Sequence, residues 1–279
     1  MTIENTISRN KALYTKQNFE PLKKSVLIVF LFALLFSFTP IKVQAQNTIL
    51  NLQGYNEQPY HFGFILGMNI MDFSMKPIDN LGQKTWTKDQ VPDLTPADSY
   101  RVLAVSASSS PGFSVGILGN LRLAKHLDLR FIPNLSFGSR MLHYNVEASH
   151  MGPIADTIFT VDKKVNSTCL IFPLLFKYRS WRKDNYGAYF IGGINYSIDL
   201  AAAKKTKDDV ASGIIKLATH DVGAEIGAGF DFYNAYFKLG VEAKMIFGLK
   251  NLVVDDNTLY SGSLQELHSK IFMLSFTFE

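Results

Sequence analysis

Residues 221–233, DVGAEIGAGFDFY, alternate up to Phe232 between an apolar face and a face of glycines and carboxylates. Ile226 lies on the apolar face, and Glu225 beside it lies on the other. A period of two predicts a β-strand whose two faces meet different environments. After two intervening residues, 236–247 (YFKLGVEAKMIF) repeats the pattern. The two segments therefore predict an antiparallel hairpin.

The same alternation recurs along the chain. It predicts eight strands: 61–70, 112–123, 127–140, 166–179, 186–199, 221–233, 236–247 and 271–278. Connections of about 20 to 38 residues alternate with turns of two to six residues. An even strand number with short periplasmic turns and long external loops is typical of outer-membrane barrels. The sequence therefore predicts an all-β, eight-stranded, antiparallel up-and-down transmembrane β-barrel over 60–279, with the mature N-terminus in the periplasm.

Alternation also fits a soluble barrel, in which the apolar face points inward. The apolar bands of four to six residues match a lipid-facing belt of about 25 Å, and aromatic residues such as Trp181 and Tyr236 cluster near the short turns. The opposite faces carry charges of both signs: Arg130, Lys177, Glu225, Lys238, Glu242 and Lys244. We interpret these as an ion-paired plug, because eight strands leave room only for side chains. A conduction path is the alternative.

The N-terminal 45 residues have the pattern of a secretory signal peptide. Lys23 and Lys24 precede the apolar run 25–39 (SVLIVFLFALLFSFT), and small residues predict cleavage after Ala45. A membrane anchor is the alternative, although 15 helical residues span only about 22 Å. The expected organisation is a signal peptide over 1–45, a periplasmic tail over 46–59 and the barrel over 60–279.

The charge balance supports this division. The whole chain has 28 basic and 24 acidic residues, a net charge of +4 and a pI near 8.9. The leader holds six of the basic and two of the acidic residues, so 46–279 is balanced at 22 of each. We therefore expect no nucleic-acid partner. A single cysteine, Cys169, excludes a disulfide framework.

The segment 52–76 (LQGYNEQPYHFGFILGMNIMDFSMK) resembles the opening strand of the PorT family. Further short matches are Phe113-Ser-Val-Gly, Phe172-Pro-Leu, Gly192-Gly193 and the 221–230 run. The resemblance implies an integral outer-membrane barrel of the type IX secretion and gliding machinery of Bacteroidetes. It implies other secretion components as partners and supplies no catalytic residues. The chain departs from many such barrels by ending on Glu279 rather than on an aromatic residue.

Candidate chemistry outside the interior is sparse. His143 and His150 fall in a predicted long loop, 141–165, with Glu147 and Asp156. A rim catalytic site or a metal site there would need a geometry that the spacing does not define, so polar loop residues are the favoured interpretation. We expect no catalytic, metal or cofactor-binding residues, and the binding residues stay unknown.

Other positions have structural interpretations. Cys169 is expected on the interior side as an inert buried thiol, and His220 and Asp221 on opposite faces of a strand. Pro133 and Pro173 predict bulges or local irregularities. The run 204–209 (KKTKDD) is interpreted as a solvated loop tip, with lipopolysaccharide phosphates or a protein partner as the alternative contact.

The long segment 74–111 is expected to form an external or partner-facing element, with 102–108 extending the second strand. Together the patterns favour a non-enzymatic barrel that assists type IX protein export and gliding motility. A small general porin and a rim-site enzyme are the alternatives. The expected contacts are outer-membrane lipid or lipopolysaccharide and other secretion components.

Overall fold

The computed structural model describes residues 49–91, 93–94, 97–150, 155–204 and 215–279. The expected signal peptide and its cleavage site lie outside these residues, as does most of the 204–209 run. Among the described residues, no helix is both long enough and apolar enough to span a membrane.

The described chain is almost entirely antiparallel strand. The strands are β1 (Tyr60–Pro77), β2 (Thr85–Trp86), β3 (Ser99–Arg122), β4 (Leu127–Phe131), β5 (Asn134–Ser149), β6 (Thr157–Arg179), β7 (Tyr186–Asp199), β8 (His220–Tyr233), β9 (Lys238–Gly248) and β10 (Leu264–Phe278). Two short helices, α1 (Leu200–Ala203) and α2 (Leu259–Gly262), lie in the long connections, and 3-10 turns occupy Tyr55–Glu57 and Lys88–Gln90. The all-β, antiparallel, up-and-down prediction is confirmed.

The sheet closes on itself because β1 is paired along both of its sides. From β10 the order runs through β9, β8, β7 and β6 to β4 and β5, and then to β3. β1 pairs with β10 from Phe64 to Pro77 and with β3 from Tyr60 to Met71. The predicted hairpin 221–247 is confirmed as β8 and β9, which pair with Phe230 opposite Val241.

The structure has ten strands among the described residues rather than the predicted eight. β2 is a two-residue strand in the first long connection, and the predicted strand 127–140 is divided into β4 and β5 at Ile132 and Pro133. The irregularity expected at Pro133 is therefore present as an interruption, but the register to β6 is the same on both sides of it.

Pro173 lies within the continuous strand β6, and no register shift accompanies it, so the bulge expected there is wrong. The Ile132 amide donates to the Pro173 carbonyl at 3.3 Å, but proline has no N–H to return the bond. The Asn134 side-chain amide donates to the Ile132 carbonyl at 2.9 Å instead. A side-chain bond thus replaces the missing backbone bond without a change of register.

The apolar faces of the lower strands point outward and their polar faces point inward, as a membrane-spanning barrel requires. Apolar side chains on the outside stay exposed, among them Phe62, Phe190, Ile226 and Phe230. On the inside, charged residues such as Glu242 have almost no exposed surface. We call the exposed outer apolar band, which includes 62–70 of β1 and 222–232 of β8, the belt.

β1 and β10 continue beyond the belt as one pair, up to Pro77 opposite Leu264, and three neighbouring strands extend further. β3, β5 and β6 extend together through Ser99–Ser109, 139–149 and 157–168, a segment that we call the upper sheet. The expected extension of the second strand over 102–108 is confirmed. The long loop expected over 141–165 is wrong, because all but about seven of its residues are strand. The chain keeps alternating there, but its apolar residues Leu142, Tyr144 and Val146 face inward.

Candidate functional site

The lower interior of the closed sheet, between the short turns and the middle of the strands, is filled by ion pairs. Five basic and five acidic side chains lie there, each at most 8% exposed: Arg130, Lys177, Arg179, Lys238 and Lys244, with Asp128, Glu225, Asp231, Glu242 and Glu279. Their formal charges cancel. A neutral, fully paired set is what a low-dielectric interior requires, because an unpaired buried charge is strongly destabilising.

Arg130 is at the centre of this network. Its guanidinium donates to Glu242 and, through Nη2, to Glu279 Oε1 at 3.3 Å. Glu279 Oε2 accepts from Lys238 Nζ at 2.8 Å, and the Tyr189 hydroxyl donates to Glu242 at 2.8 Å. Side chains from opposite walls are therefore bonded across the interior.

Besides the pair of Arg179 and Asp128, which are 2.7 Å apart, two further pairs extend the network around the wall. Lys177 Nζ contacts both oxygens of Asp231, at 2.7 and 3.0 Å, and lies 3.7 Å from the centre of the Tyr189 ring. Lys244 lies 3.0 Å from Glu225. The charged residues that the sequence placed on the inner faces are all found in this network, which supports the plug over a conduction path.

Above the ion pairs, a further basic residue, Arg140, is buried, and no carboxylate among the described residues forms an ion pair with it. Arg140 donates to the hydroxyls of Ser167 and Ser269, at 2.9 and 2.6 Å, and packs on the ring of Phe73. A cavity of about 20 Å³ adjoins it, lined also by Cys169 and Asp221 among others. That volume holds about one water molecule.

The end of the sheet with the short turns is covered by residues 49–58. Arg182 donates to the backbone carbonyls of Asn51 and Leu52, and Arg122 donates to that of Glu57 at 2.7 Å. The Tyr55 ring stacks on His61 with centroids 3.9 Å apart. Burial raises the pKa of the Tyr55 phenol above its ordinary value. This part of the expected tail is therefore packed against the strand ends.

The opposite end is closed by an apolar core between the upper sheet and the long connections. Trp86, Tyr100, Tyr144 and Tyr260 are buried in it. The Tyr260 hydroxyl donates to Asp93 at 2.9 Å, and burial followed by this bond raises the pKa of Tyr260. The segment 74–111 is thus partly strand and partly a cover over this end.

The structure places His143 on the outer face of β5 rather than in a loop. His143 Nε2 lies 2.9 Å from Ser108 Oγ, and its Nδ1 lies 2.6 Å from Asp162 Oδ1. Sequence reasoning missed Ser108 and Asp162, because they are 35 and 19 residues away from His143 and lie on two other strands.

The other residues proposed with His143 do not join it. Glu147 pairs with Arg101 at 2.7 Å, and the His150 amide donates to Asp156 at 3.3 Å. Across the described ranges, no cluster of three or more His, Cys, Asp or Glu side chains could hold a metal ion.

Two structural interpretations of the sequence agree with the structure. Cys169 is buried on the inner face, as expected. His220 is exposed and bonded to the Tyr196 hydroxyl at 2.8 Å, whereas the neighbouring Asp221 points inward and accepts from the Lys250 amide. The prediction that they lie on opposite faces is confirmed.

A closed antiparallel sheet with an apolar outer belt and an ion-paired interior is the architecture of an outer-membrane barrel protein. Residues 44–254 match the family model described as the outer membrane protein beta-barrel domain, and the chain belongs to that family. The protein is therefore located in the outer membrane.

Solved structures with a related arrangement include Neisserial surface protein A (NspA). It is 10% identical, with 79% of this chain and 98% of that chain covered and a TM-score of 0.37. The attachment invasion locus protein Ail of Yersinia pestis, in complex with the heparin analogue sucrose octasulfate, is 8% identical with the same coverage and a TM-score of 0.31. A comparison with curated proteins finds no match.

Proposed function

We propose that this protein is a closed, non-conducting barrel of the outer membrane that assists protein export by the type IX secretion system. The observation that carries the non-conducting role is the lower interior, where five buried cations and five buried carboxylates occupy the space that a pore would need. A general porin, the second interpretation of the sequence, would need an open polar path there.

We count the membrane-crossing strands as eight. Across the interruption, the register of β4 to β3 and to β6 continues into the start of β5, so β4 and β5 act as a single interrupted strand, while β2 belongs to a connection. By the usual asymmetry of such barrels, the short turns and residues 49–58 face the periplasm, and the upper sheet faces outward. The leader over 1–45 would direct export to this location, with cleavage after Ala45.

Support for an export role comes from the resemblance of residues 52–76 to the PorT family. The same resemblance suggests gliding motility and contacts with other secretion components. The apolar belt would contact outer-membrane lipid or lipopolysaccharide. A barrel that is sealed at both ends would act as a scaffold for such partners rather than as the channel for the cargo.

Planar bilayer recording tests the closed interior. Purified, folded protein is expected to give no stable conductance steps. A variant lacking residues 49–58 should also stay silent, because the ion pairs fill the barrel above that segment. Regular single-channel steps from the unaltered protein would instead support the porin.

Deletion of the gene tests the export role. The deletion strain is expected to retain type IX cargo proteins and to lose surface gliding, and expression of the unaltered protein should restore both. Detergent sensitivity of the strain serves as a control for general envelope damage. Normal cargo secretion and gliding in the deletion strain would contradict the proposal.

A further inference from the structure

The outer face of the upper sheet carries a serine, a histidine and an aspartate in one hydrogen-bonded series. Ser108 Oγ, His143 Nε2, His143 Nδ1 and Asp162 Oδ1 follow one another, with contacts of 2.9 and 2.6 Å on the two sides of the imidazole ring. The three residues come from three adjacent strands, β3, β5 and β6. None of them takes part in closing the barrel.

The strand register explains this arrangement. His143 lies directly opposite Ser106 on β3 and Asp162 on β6. Its ring therefore spans from Asp162 across β5 and reaches Ser108, one outward-facing position away from Ser106. The apolar core packs on the other face, so the series is open to the outside, with 30% of the His143 and 55% of the Asp162 side chain exposed.

The contacts match the roles of an activated nucleophile. An aspartate that accepts the Nδ1 proton holds the neutral imidazole in the tautomer whose Nε2 can accept a proton from the serine hydroxyl. A nucleophile bonded to a base, with the base oriented by a third group, defines this kind of acyl-transfer site by geometry rather than by sequence.

An acyl-transfer site also needs hydrogen-bond donors for the oxyanion. The edge of β3 next to Ser108 carries candidate donors. β3 pairs with β2 at Tyr100 and Arg101 and with β1 only from Ser110 onward. Between these points, no strand of the described residues pairs with the side of β3 that faces away from β5. Alternate amide N–H groups of such an edge point away from its partner, and they are candidate donors to an oxyanion formed beside Ser108.

We propose that Ser108, His143 and Asp162 form an esterase site on the outer wall of the barrel. Ser108 Oγ attacks the carbonyl carbon of a carboxylic ester while its proton passes to His143 Nε2. The C–O bond to the alcohol then breaks, and the alcohol leaves with that proton. Water adds to the acyl-Ser108 with His143 as base, the carboxylic acid leaves, and the Ser108 hydroxyl is restored.

The reacting group of the proposed substrate, a carboxylic ester, could come from a soluble molecule or from a lipid. On β5 the belt ends near Phe137, six residues before His143, which corresponds to roughly 20 Å along the strand. The site therefore lies beyond the belt. A soluble ester and the ester of an outer-leaflet lipid share the same reacting group, and chain length distinguishes them in the assay.

Labelling and hydrolysis test the site on the full-length folded protein in lipid vesicles. A fluorophosphonate probe is expected to modify Ser108, as located by peptide mass spectrometry, and p-nitrophenyl butyrate should be hydrolysed. Ser108→Ala and His143→Ala should each lower the rate at least about 100-fold, and Asp162→Asn at least about tenfold. Ser106→Ala is the matched control, an exposed serine on the same strand and face, and should change the rate less than twofold. A faster rate with p-nitrophenyl palmitate would indicate a lipid source.

Folding of each variant is checked by its heat-dependent mobility on SDS gels. If folded, unaltered protein shows neither an adduct at Ser108 nor ester hydrolysis, the three residues are only cross-strand hydrogen-bond partners and the proposal is wrong. Labelling of Ser108 that persists in His143→Ala would also overturn it. The site goes beyond the export role, so cargo secretion by a Ser108→Ala strain is expected to stay normal.

Discussion

The belt and the upper sheet are built from the same strands with opposite polarity. Along β5, Phe137 faces outward in the lower part, whereas Leu142 and Val146 face inward further up. Along β6, Phe176 faces outward and Val165 inward. In the belt, the apolar side chains face lipid and the interior contains ion pairs. In the upper sheet, the polar side chains face water and an apolar core fills the interior. Alternation therefore separates apolar from polar side chains on two faces of a strand, while the surrounding solvent decides which of the two faces is buried.

The largest effect is expected from unpairing the lower interior. Arg130→Met leaves Glu242 and Glu279 without their guanidinium partner and should lower the free energy of unfolding by about 3–5 kcal/mol. Urea unfolding in lipid vesicles, followed by tryptophan fluorescence, measures the change. A loss below 1 kcal/mol would mean that the ion pairs do not hold the barrel together.

The belt is tested by placing a charge in lipid. Ile226→Lys, near the middle of the outward face of β8, should cost about 2–4 kcal/mol in the same assay. The matched control, Ser106→Lys, places the same side chain on the outer face of the upper sheet, where water solvates it, and should change stability by less than about 0.5 kcal/mol. Equal losses would remove the distinction between the two regions.

The upper core is tested by a smaller deletion. Val146→Ala removes buried methyl groups and should cost about 2 kcal/mol. Ile158→Ala is its control on the outer face, opposite Glu147 in the register, and should be nearly neutral. Hydrogen exchange of the upper strands measures both. Similar exchange in the two variants would show that Val146 is not part of a packed core.

The smallest effect is expected from an ion pair on the outside of the upper sheet. Arg101 and Glu147 are 2.7 Å apart, but the Arg101 side chain is 39% exposed. Arg101→Met should therefore cost no more than about 1 kcal/mol, because water already solvates both charges. Urea unfolding in the same vesicles compares it directly with Arg130→Met. A loss as large as that of Arg130→Met would contradict the role of burial.

The sequence predicted the membrane-facing strands more completely than the upper sheet. In 221–233 and in 236–247 a single phase of alternation covers each strand of the hairpin from end to end, so the residues of both faces could be assigned. In 134–149 the apolar residues change from odd to even positions near Gly138. The sequence therefore suggested that the strand stopped there. Leu142, Tyr144 and Val146 did carry the signal of a strand, but with the apolar face on the other side.

The interior and the outer-wall series differ in how far sequence reasoning could reach. Alternation, together with the interpretation of the apolar face as lipid-facing, assigned Glu242 and Lys244 to the inside. It could not pair Arg130 with Glu279, which lies 149 residues further along the chain. Nor could it bring Ser108 and Asp162 to His143, because their contact depends on the register of β3, β5 and β6.

By itself, the sequence determined an all-β chain whose strands each have one apolar and one polar face, and a charge-balanced segment over 46–279, because period and composition are local properties. Only the tertiary structure decided which charges meet, where the strands leave the membrane and what closes each end. Those features depend on strand register and on closure of the sheet, which bring together residues that are far apart along the chain. A local sequence pattern does not encode such contacts.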